Sequence, residues 1–571
     1  MHGWSLGDWQ ILQPLNNFEV LRSWKGLVGP LWDGNKPKLV IVGVSGGGIR
    51  ASVWTATVLR ELERTLGADF PYHIRLITGA SGGMVGGSYY AATLKPPPAG
   101  VLRAGGARAD FFQLHGFTAE AFVDRLAADQ LNAVAGRTAF ADIPSVFNPF
   151  PQKGDRGQTL EEAWIRQTGA GESPFSRPLR HYASDELLGW RPSLVYTPMM
   201  VEDGRRLLIS NIDLSFVTRN IGGMLLEPSS RKVQIPAYQQ EDLDTSIGLQ
   251  DDLYSLSAVE FFRLFPSAHD FRMSTAVRMS ASFPWVSPAV SLPTLPPRRV
   301  VDAGYYDNYG VNLAALWMSE LRTWLCQNTS GVVVIQIRDH ISQEARTEID
   351  FDRVTEESVL DRLTWRAGQE LLTAGSQAFT TPLRGISAAR QWTMSFRNDE
   401  QMELLDELFD DDKNAKEGFF RTVVFECPVA VSLNWKLSDE EKEILSRSLG
   451  RNESNDLRTR LDDVEDYQIG GGYYEMAKQK TVLKDESTHE RKMKEMYDEQ
   501  LRKLGFKHVA HLTRQESEKR YHNVMNNLKR LELLRAWWQE GHAPVKAPVI
   551  AGGVGAVRPD HGAGSAGQLR P

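Results

Sequence analysis

The sequence predicts an α/β fold with a mostly parallel central sheet, on three local observations. Lys38-Leu-Val-Ile-Val-Gly43 is a short, β-branched apolar run ending in glycine, the pattern of a strand buried on both faces. Ile49, Val53, Ala56, Leu59, Leu62 and Leu66 then recur at spacings of three and four, which lines one face of a helix. The same order returns at once, with Tyr72–Thr78 as strand, Gly79-Ala80-Ser81-Gly82-Gly83 as tight turn and Met84–Leu94 as helix. Tandem strand–turn–helix units favour parallel strands with helices on both faces.

The elements follow in order. Residues 1–36 carry Trp4, Trp9, Trp24 and Trp32 without periodicity and are expected to form a lead-in segment packed on the main domain. That domain is placed at 37–435. Gly67 closes its first helix, and Pro96-Pro97-Pro98 stops its second. A helical patch covers Ala119–Leu131, and a Pro/Gly-rich loop lies near 144–158. Ser193–Met200 and Arg206–Ser210 flank Asp203-Gly204 as a hairpin, and Gly331–Ile337 is a further buried strand. Residues 436–548 change to the texture of charged helix. The last stretch, 549–571, is rich in Gly, Ala and Pro and is expected to be disordered.

Composition narrows the function classes. The 571 residues are 42% hydrophobic and 24% charged, with a formal net charge of −7. That mild acidity speaks against bulk capture of nucleic acid. The two cysteines, Cys326 and Cys427, give neither a disulfide framework nor a metal-ligand spacing, and they point to a reducing, cytoplasmic setting. The start, Met1-His2-Gly3-Trp4-Ser5, lacks the basic and apolar regions of a secretory signal. No run approaches the ~18 apolar residues of a membrane span, so membrane contact is expected to be peripheral.

Three sites carry candidate chemistry. Gly43-Val-Ser-Gly-Gly-Gly48-Ile-Arg50-Ala51 joins a strand to a helix and frees the amides of Gly46, Gly47 and Gly48 to face an anion or oxyanion. A Walker loop needs Lys-Ser/Thr where Ile49-Arg50 stands. A dinucleotide fingerprint fits Gly46, Gly48 and Ala51, yet Glu61 and Glu63 fall too early for its acid. A tight turn without ligand is equally compatible with this loop alone. The second site, Gly79-Ala80-Ser81-Gly82-Gly83, is a G-x-S-x-G between strand and helix, the context of a nucleophile elbow. The third is Val300-Val301-Asp302-Ala303-Gly304, a strand ending in a carboxylate, which also reads as an ordinary Asp turn.

Taken together, SGGGIRA (Ser45–Ala51), GASGG (Gly79–Gly83) and DAG (Asp302–Gly304) resemble the patatin-like phospholipases, with a flavour of the cytosolic phospholipase A branch. Arg278-Met-Ser-Ala-Ser-Phe-Pro-Trp285 resembles the segment before the family's aspartate, and Asn308 lies where an asparagine follows it. The likeness spans about residues 37–435. Ser45 stands where plant patatins open the loop with Asp, Ala51 replaces a final Gly, and Ala303 separates Asp302 from Gly304.

The resemblance implies a patatin-like three-layer sandwich with a helical C-terminal extension, and a serine–aspartate dyad. Ser81 is then the nucleophile, Asp302 its base, and the amides of Gly46, Gly47, Gly48 and Gly82 the oxyanion hole. Substrates are phospholipid or other lipid esters, with no cofactor, metal or nucleic acid required. Arg50 either meets a lipid phosphate or anchors its helix to a carboxylate. Two rivals remain. Asp339-His340 after the strand Gly331–Ile337 allows a Ser81–Asp302–His340 triad, and the Gly46–Gly48 loop allows a non-enzymatic nucleotide-binding module. Phe261-Phe262 and Phe283-Pro284-Trp285 could receive an acyl chain or simply fill the core. In the extension, Leu528, Leu531, Leu534, Ala536 and Trp538 predict an amphipathic helix. It either covers the catalytic domain or lays Trp537 and Trp538, beside Arg530 and Arg535, on lipid headgroups.

Overall fold

The computed structural model describes residues 14–97, 119–128, 137, 155–169, 173–215, 258–282, 287–340, 394–413, 415–416, 418–428, 437–449 and 486–541. Its centre is a five-stranded sheet in the order β10-β9-β1-β2-β3: Phe420–Glu426, Gly331–Arg338, Lys38–Val44, Ile74–Gly79 and Ser193–Tyr196. All four pairings are parallel. Val44 stands in register with both Gly79 and Ile337, so the chain leaves β1, β2 and β9 along one edge.

The uninterrupted apolar runs follow from burial on both faces. Val40, Val42, Val44, Val333 and Ile335 point into one core, with helices α2 (Gly48–Leu66) and α3 (Ser81–Thr93). Their neighbours Leu39, Ile41, Val332 and Val334 point into the other, with α1 (Asn17–Val28), α6 (Val311–Asn328) and α7 (Met394–Asp410). Helix–sheet–helix layers result. The remaining helices used below are α4 (Arg156–Gly169), α5 (Met273–Ser280), α8 (Asp439–Arg447), α9 (Glu486–Lys503) and α10 (Arg514–Gln539).

A second, mixed sheet extends from the end of β3. Its order is β6-β5-β4-β8-β7: Ala258–Glu260, Arg206–Leu208, Met199–Met200, Arg298–Val301 and Val290–Leu292. Met199 pairs antiparallel with Arg206 around a turn in which Gly204 takes φ +73°. The expected strand Ser193–Met200 therefore divides. Its first half joins the parallel sheet and its second half the hairpin, with Thr197 and Pro198 between them. Proline has no N–H to offer either ladder, which accounts for the break.

Helices α9 and α10 pack together, joined by Ser517 Oγ donating to Asp498 at 2.6 Å. α10 then docks on the outer strand of the parallel sheet. The Asn527 side chain accepts from Glu426 N–H at 3.0 Å and donates to Glu426 carbonyl at 2.8 Å, while Arg530 donates to the Val424 carbonyl. The sheet edge is thereby covered. Trp538 is buried against Trp32, Phe70 and His73, and the Lys38 ammonium sits over the Trp537 ring at 4.1 Å. The tryptophan pair invoked for lipid headgroups is thus turned onto the protein, because Trp32 and Phe70 offer it an apolar seat. Among the described residues no helix is long and apolar enough to cross a membrane.

Candidate active site

The glycine loop, the Ser81 turn and the loop that follows Asp302 meet at the carboxyl edge of the parallel sheet. Past Val44, Ser45 N–H donates to the Ile337 carbonyl and Gly46 N–H to the Asn308 carbonyl, both at 3.0 Å. Gly46 is therefore committed to the backbone, unlike the donor role expected of it. Gly48 opens α2 with φ +61°, a conformation suited to glycine. At this end of the helix Ala51 N–H bonds back to the Gly47 carbonyl. The amides of Gly48, Ile49 and Arg50 precede it and have no partner within the helix ladder.

Ser81 lies one strand away. Ala80 is extended, and its N–H donates to the Val44 carbonyl at 3.1 Å. Ser81 itself takes φ +48° and is 7% exposed. A left-handed non-glycine residue costs roughly 1–3 kcal/mol and persists only where its surroundings enforce it. Here they are backbone. A Cβ on Gly82 would collide with the Gly48 carbonyl, one on Gly83 with that of Ser45, and one on Gly86 with that of Ser52. The glycine face of α3 thus lets its first turns lie directly on the loop 45–48 and the start of α2. Two helix N-termini converge, and their dipoles favour negative charge between them.

Asp302 follows β8 and is fully buried. Its N–H donates to Ser282 carbonyl at 3.2 Å, and its Oδ1 accepts from Gly304 N–H at 2.8 Å. α5, just before Ser282, packs on α3, on β8 and on the Ala303–Tyr305 turn, and so spans the segments bearing Ser81 and Asp302. Beyond the turn, Asp307 accepts from the amides of Tyr309, Gly310 and Asn312 at 3.0–3.1 Å. Burial pushes its carboxyl up, against the pull of those amides and of Arg206. This loop folds back over the sheet edge. A Cβ on Gly310 would lie 2.6 Å from Gly79 N, and one on Gly43 would lie 2.9 Å from the Tyr309 carbonyl. The Ser81 turn and the glycine loop therefore meet the loop that follows Asp302 at one edge.

Arg50 is buried, and its guanidinium donates to Asp339 Oδ2 at 2.7 Å. Of its two expected roles, this is the anchoring one. Asp339 is itself buried. Burial opposes its charge, but the hydrogen bond and charge of His340 and those of Arg50 outweigh it and hold the carboxyl below the usual range. His340 has Nδ1 2.8 Å from Asp339 Oδ1 and Nε2 3.0 Å from the Tyr309 hydroxyl. Both ring nitrogens are engaged, which disfavours the triad in this arrangement. Phe261 and Phe262 pack with Phe271, and Arg180 caps the Phe262 ring at 4.0 Å, so they fill the core. Residues 283–286 lie outside the described residues. Sequence reasoning missed Asp307, Tyr309 and the bracing role of Asp339. The last had a signal, a polar residue directly after a buried strand, where parallel sheets build their sites.

Residues 44–315 match the family model described as patatin-like phospholipase. No curated protein matches the chain. Among solved structures, human GIVD cytosolic phospholipase A2 aligns over 59% of this chain and 52% of its own, with 12% identity and a TM-score of 0.28. VipD from Legionella pneumophila aligns over 90% of this chain and 92% of its own, with 11% identity and a TM-score of 0.20. The chain thus spans about half the length of the human protein.

Proposed function

We propose, taking residues 44–315 as a patatin-like phospholipase domain and the chain as a lipid acyl hydrolase in class, that it cleaves phospholipid or lysophospholipid acyl esters through an acyl-serine intermediate. Asp302 takes the Ser81 hydroxyl proton as Oγ attacks the ester carbonyl. The amides of Gly47, Gly48 and Gly82 receive the developing oxyanion, and Gly46 is left out because its N–H is already donated to Asn308. The alcohol leaves with the proton held by Asp302, and water, activated by the same carboxylate, releases the acid. Substrate is met at a membrane surface from the cytoplasmic side.

One observation carries this reading. Ser81 is held left-handed at a helix N-terminus against a glycine loop, and the turn bearing Asp302 leads into a loop that closes over the same edge. A turn without chemistry gives no reason to strain a serine there.

Mass-spectrometric lipid analysis of mixed phospholipid vesicles tests it. Wild type is expected to release free fatty acid, and both Ser81→Ala and Asp302→Asn to release none above background. Tight nucleotide binding without acid release would favour the nucleotide module instead.

A further inference from the structure

We infer that Asp339 is the positioning residue of the oxyanion loop, acting through Ser45, Gly47 and Arg50; the inference rests on the acyl-transfer reading above. Asp339 directly follows β9, whose pairing with β1 runs in register to Val44 and Ile337. It is therefore delivered by the sheet rather than by a loop of its own.

Its contacts fall on successive points of one short segment. The Asp339 N–H donates to Ser45 Oγ at 2.7 Å, and Ser45 Oγ lies 3.2 Å from Asp339 Oδ1. The Arg50 guanidinium holds Oδ2 at 2.7 Å. Between them, a Cβ on Gly47 would collide with the same carboxylate, so the backbone of Gly47 is seated directly against it. One carboxylate thus gauges the start, middle and helix entry of residues 45–50. That segment carries Gly47 and Gly48, whose amides are assigned to the oxyanion, while those of Ser45 and Gly46 are already donated to backbone carbonyls.

A second tier fixes the gauge. His340 Nδ1 hydrogen-bonds Asp339 Oδ1 at 2.8 Å, and its Nε2 lies 3.0 Å from the Tyr309 hydroxyl. Tyr309 belongs to the loop that follows Asp302 and packs its carbonyl against Gly43. The bracket therefore ties β9, the glycine loop and the loop of the base into one unit. A buried ion pair is a poor way to gain stability, since well-packed apolar residues serve as well. Bidentate or multiple charged contacts fix direction, which is what oxyanion donors require.

The test uses the full chain with a chromogenic fatty ester. Two ligands accompany it: a fatty trifluoromethyl ketone, which forms an oxyanion on a serine, and the matching fatty amide, which does not. Asp339→Asn is expected to lose about 10–10² in kcat with KM within about threefold. Ketone affinity should fall by the same factor while amide affinity holds. Because Asp339→Asn removes the carboxylate charge paired with Arg50 and can unfold the chain, Ser45→Ala carries the same test, with an expected loss of roughly tenfold. Ser81-dependent turnover that is unchanged in folded Asp339→Asn or Ser45→Ala overturns the inference alone. Equal losses in ketone and amide affinity also overturn it. Wild type with no Ser81-dependent turnover overturns the acyl-transfer reading and the inference with it.

Discussion

Replacing Gly82 by alanine adds one methyl group and touches neither Ser81 nor Asp302. The new Cβ meets the Gly48 carbonyl oxygen head-on, with the carbonyl carbon at 2.6 Å and Cα at 3.0 Å, where ordinary contact begins near 3.4 Å. All three atoms are backbone, so no side chain can swing away. The start of α3 and the glycine loop must therefore part by about 1 Å. Misplacement on that scale costs about 10² in rate, equivalent to about 2.7 kcal/mol in the barrier. Overpacking adds about 1–3 kcal/mol of lost stability. The assay is kcat/KM on a fatty ester at a temperature where thermal melts show both proteins folded. Gly26→Ala serves as control, since Gly26 is exposed in α1 with open space around it, and alanine there should stabilise by up to about 1 kcal/mol. A folded Gly82→Ala protein within about twofold of wild-type kcat/KM would refute the close-approach reasoning.

Other outcomes follow from the same geometry. His340→Ala should keep activity within about tenfold, because its ring is engaged by Asp339 and Tyr309; a fall near 10⁴ would restore the triad. Trp538→Ala empties a buried seat and should cost about 3–5 kcal/mol in denaturant unfolding, while activity per folded molecule holds. Glu186 is buried and its carboxyl is pushed up to about 7 by that burial. From about pH 5 to 7 the folded chain holds a proton the unfolded chain has released, so stability falls as pH rises through that window. Glu186→Gln should flatten that slope, gaining on the order of 3 kcal/mol at pH 8 and less than about 1 kcal/mol at pH 5; parallel pH profiles for the two proteins would contradict it.

What could be read in advance depended on how local its cause was. β1 and β9 were legible because burial on both faces leaves an unbroken β-branched run. The tight turn at Ser81 was legible because its glycine neighbours record the close approach of another backbone. The division of Ser193–Met200 has a local sign in Pro198. The partners of Arg50 and His340 were not legible, since they depend on β9 lying beside β1, a neighbour separated by almost three hundred positions. The same holds for the Gly46 amide, whose acceptor sits on the loop after Asp302. For α10 the spacing gave the apolar face but not what covers it. Trp32 and Phe70, far away in the chain, settled that.

Intact-mass and peptide analysis after exposure to a fatty fluorophosphonate goes straight to the acyl-transfer claim, because the reagent bonds only an activated hydroxyl beside oxyanion donors. One adduct per chain, located on Ser81, absent in Ser81→Ala and slowed at least a hundredfold in Asp302→Asn, is the expected result. An unmodified Ser81, or labelling that proceeds equally without Asp302, would contradict it.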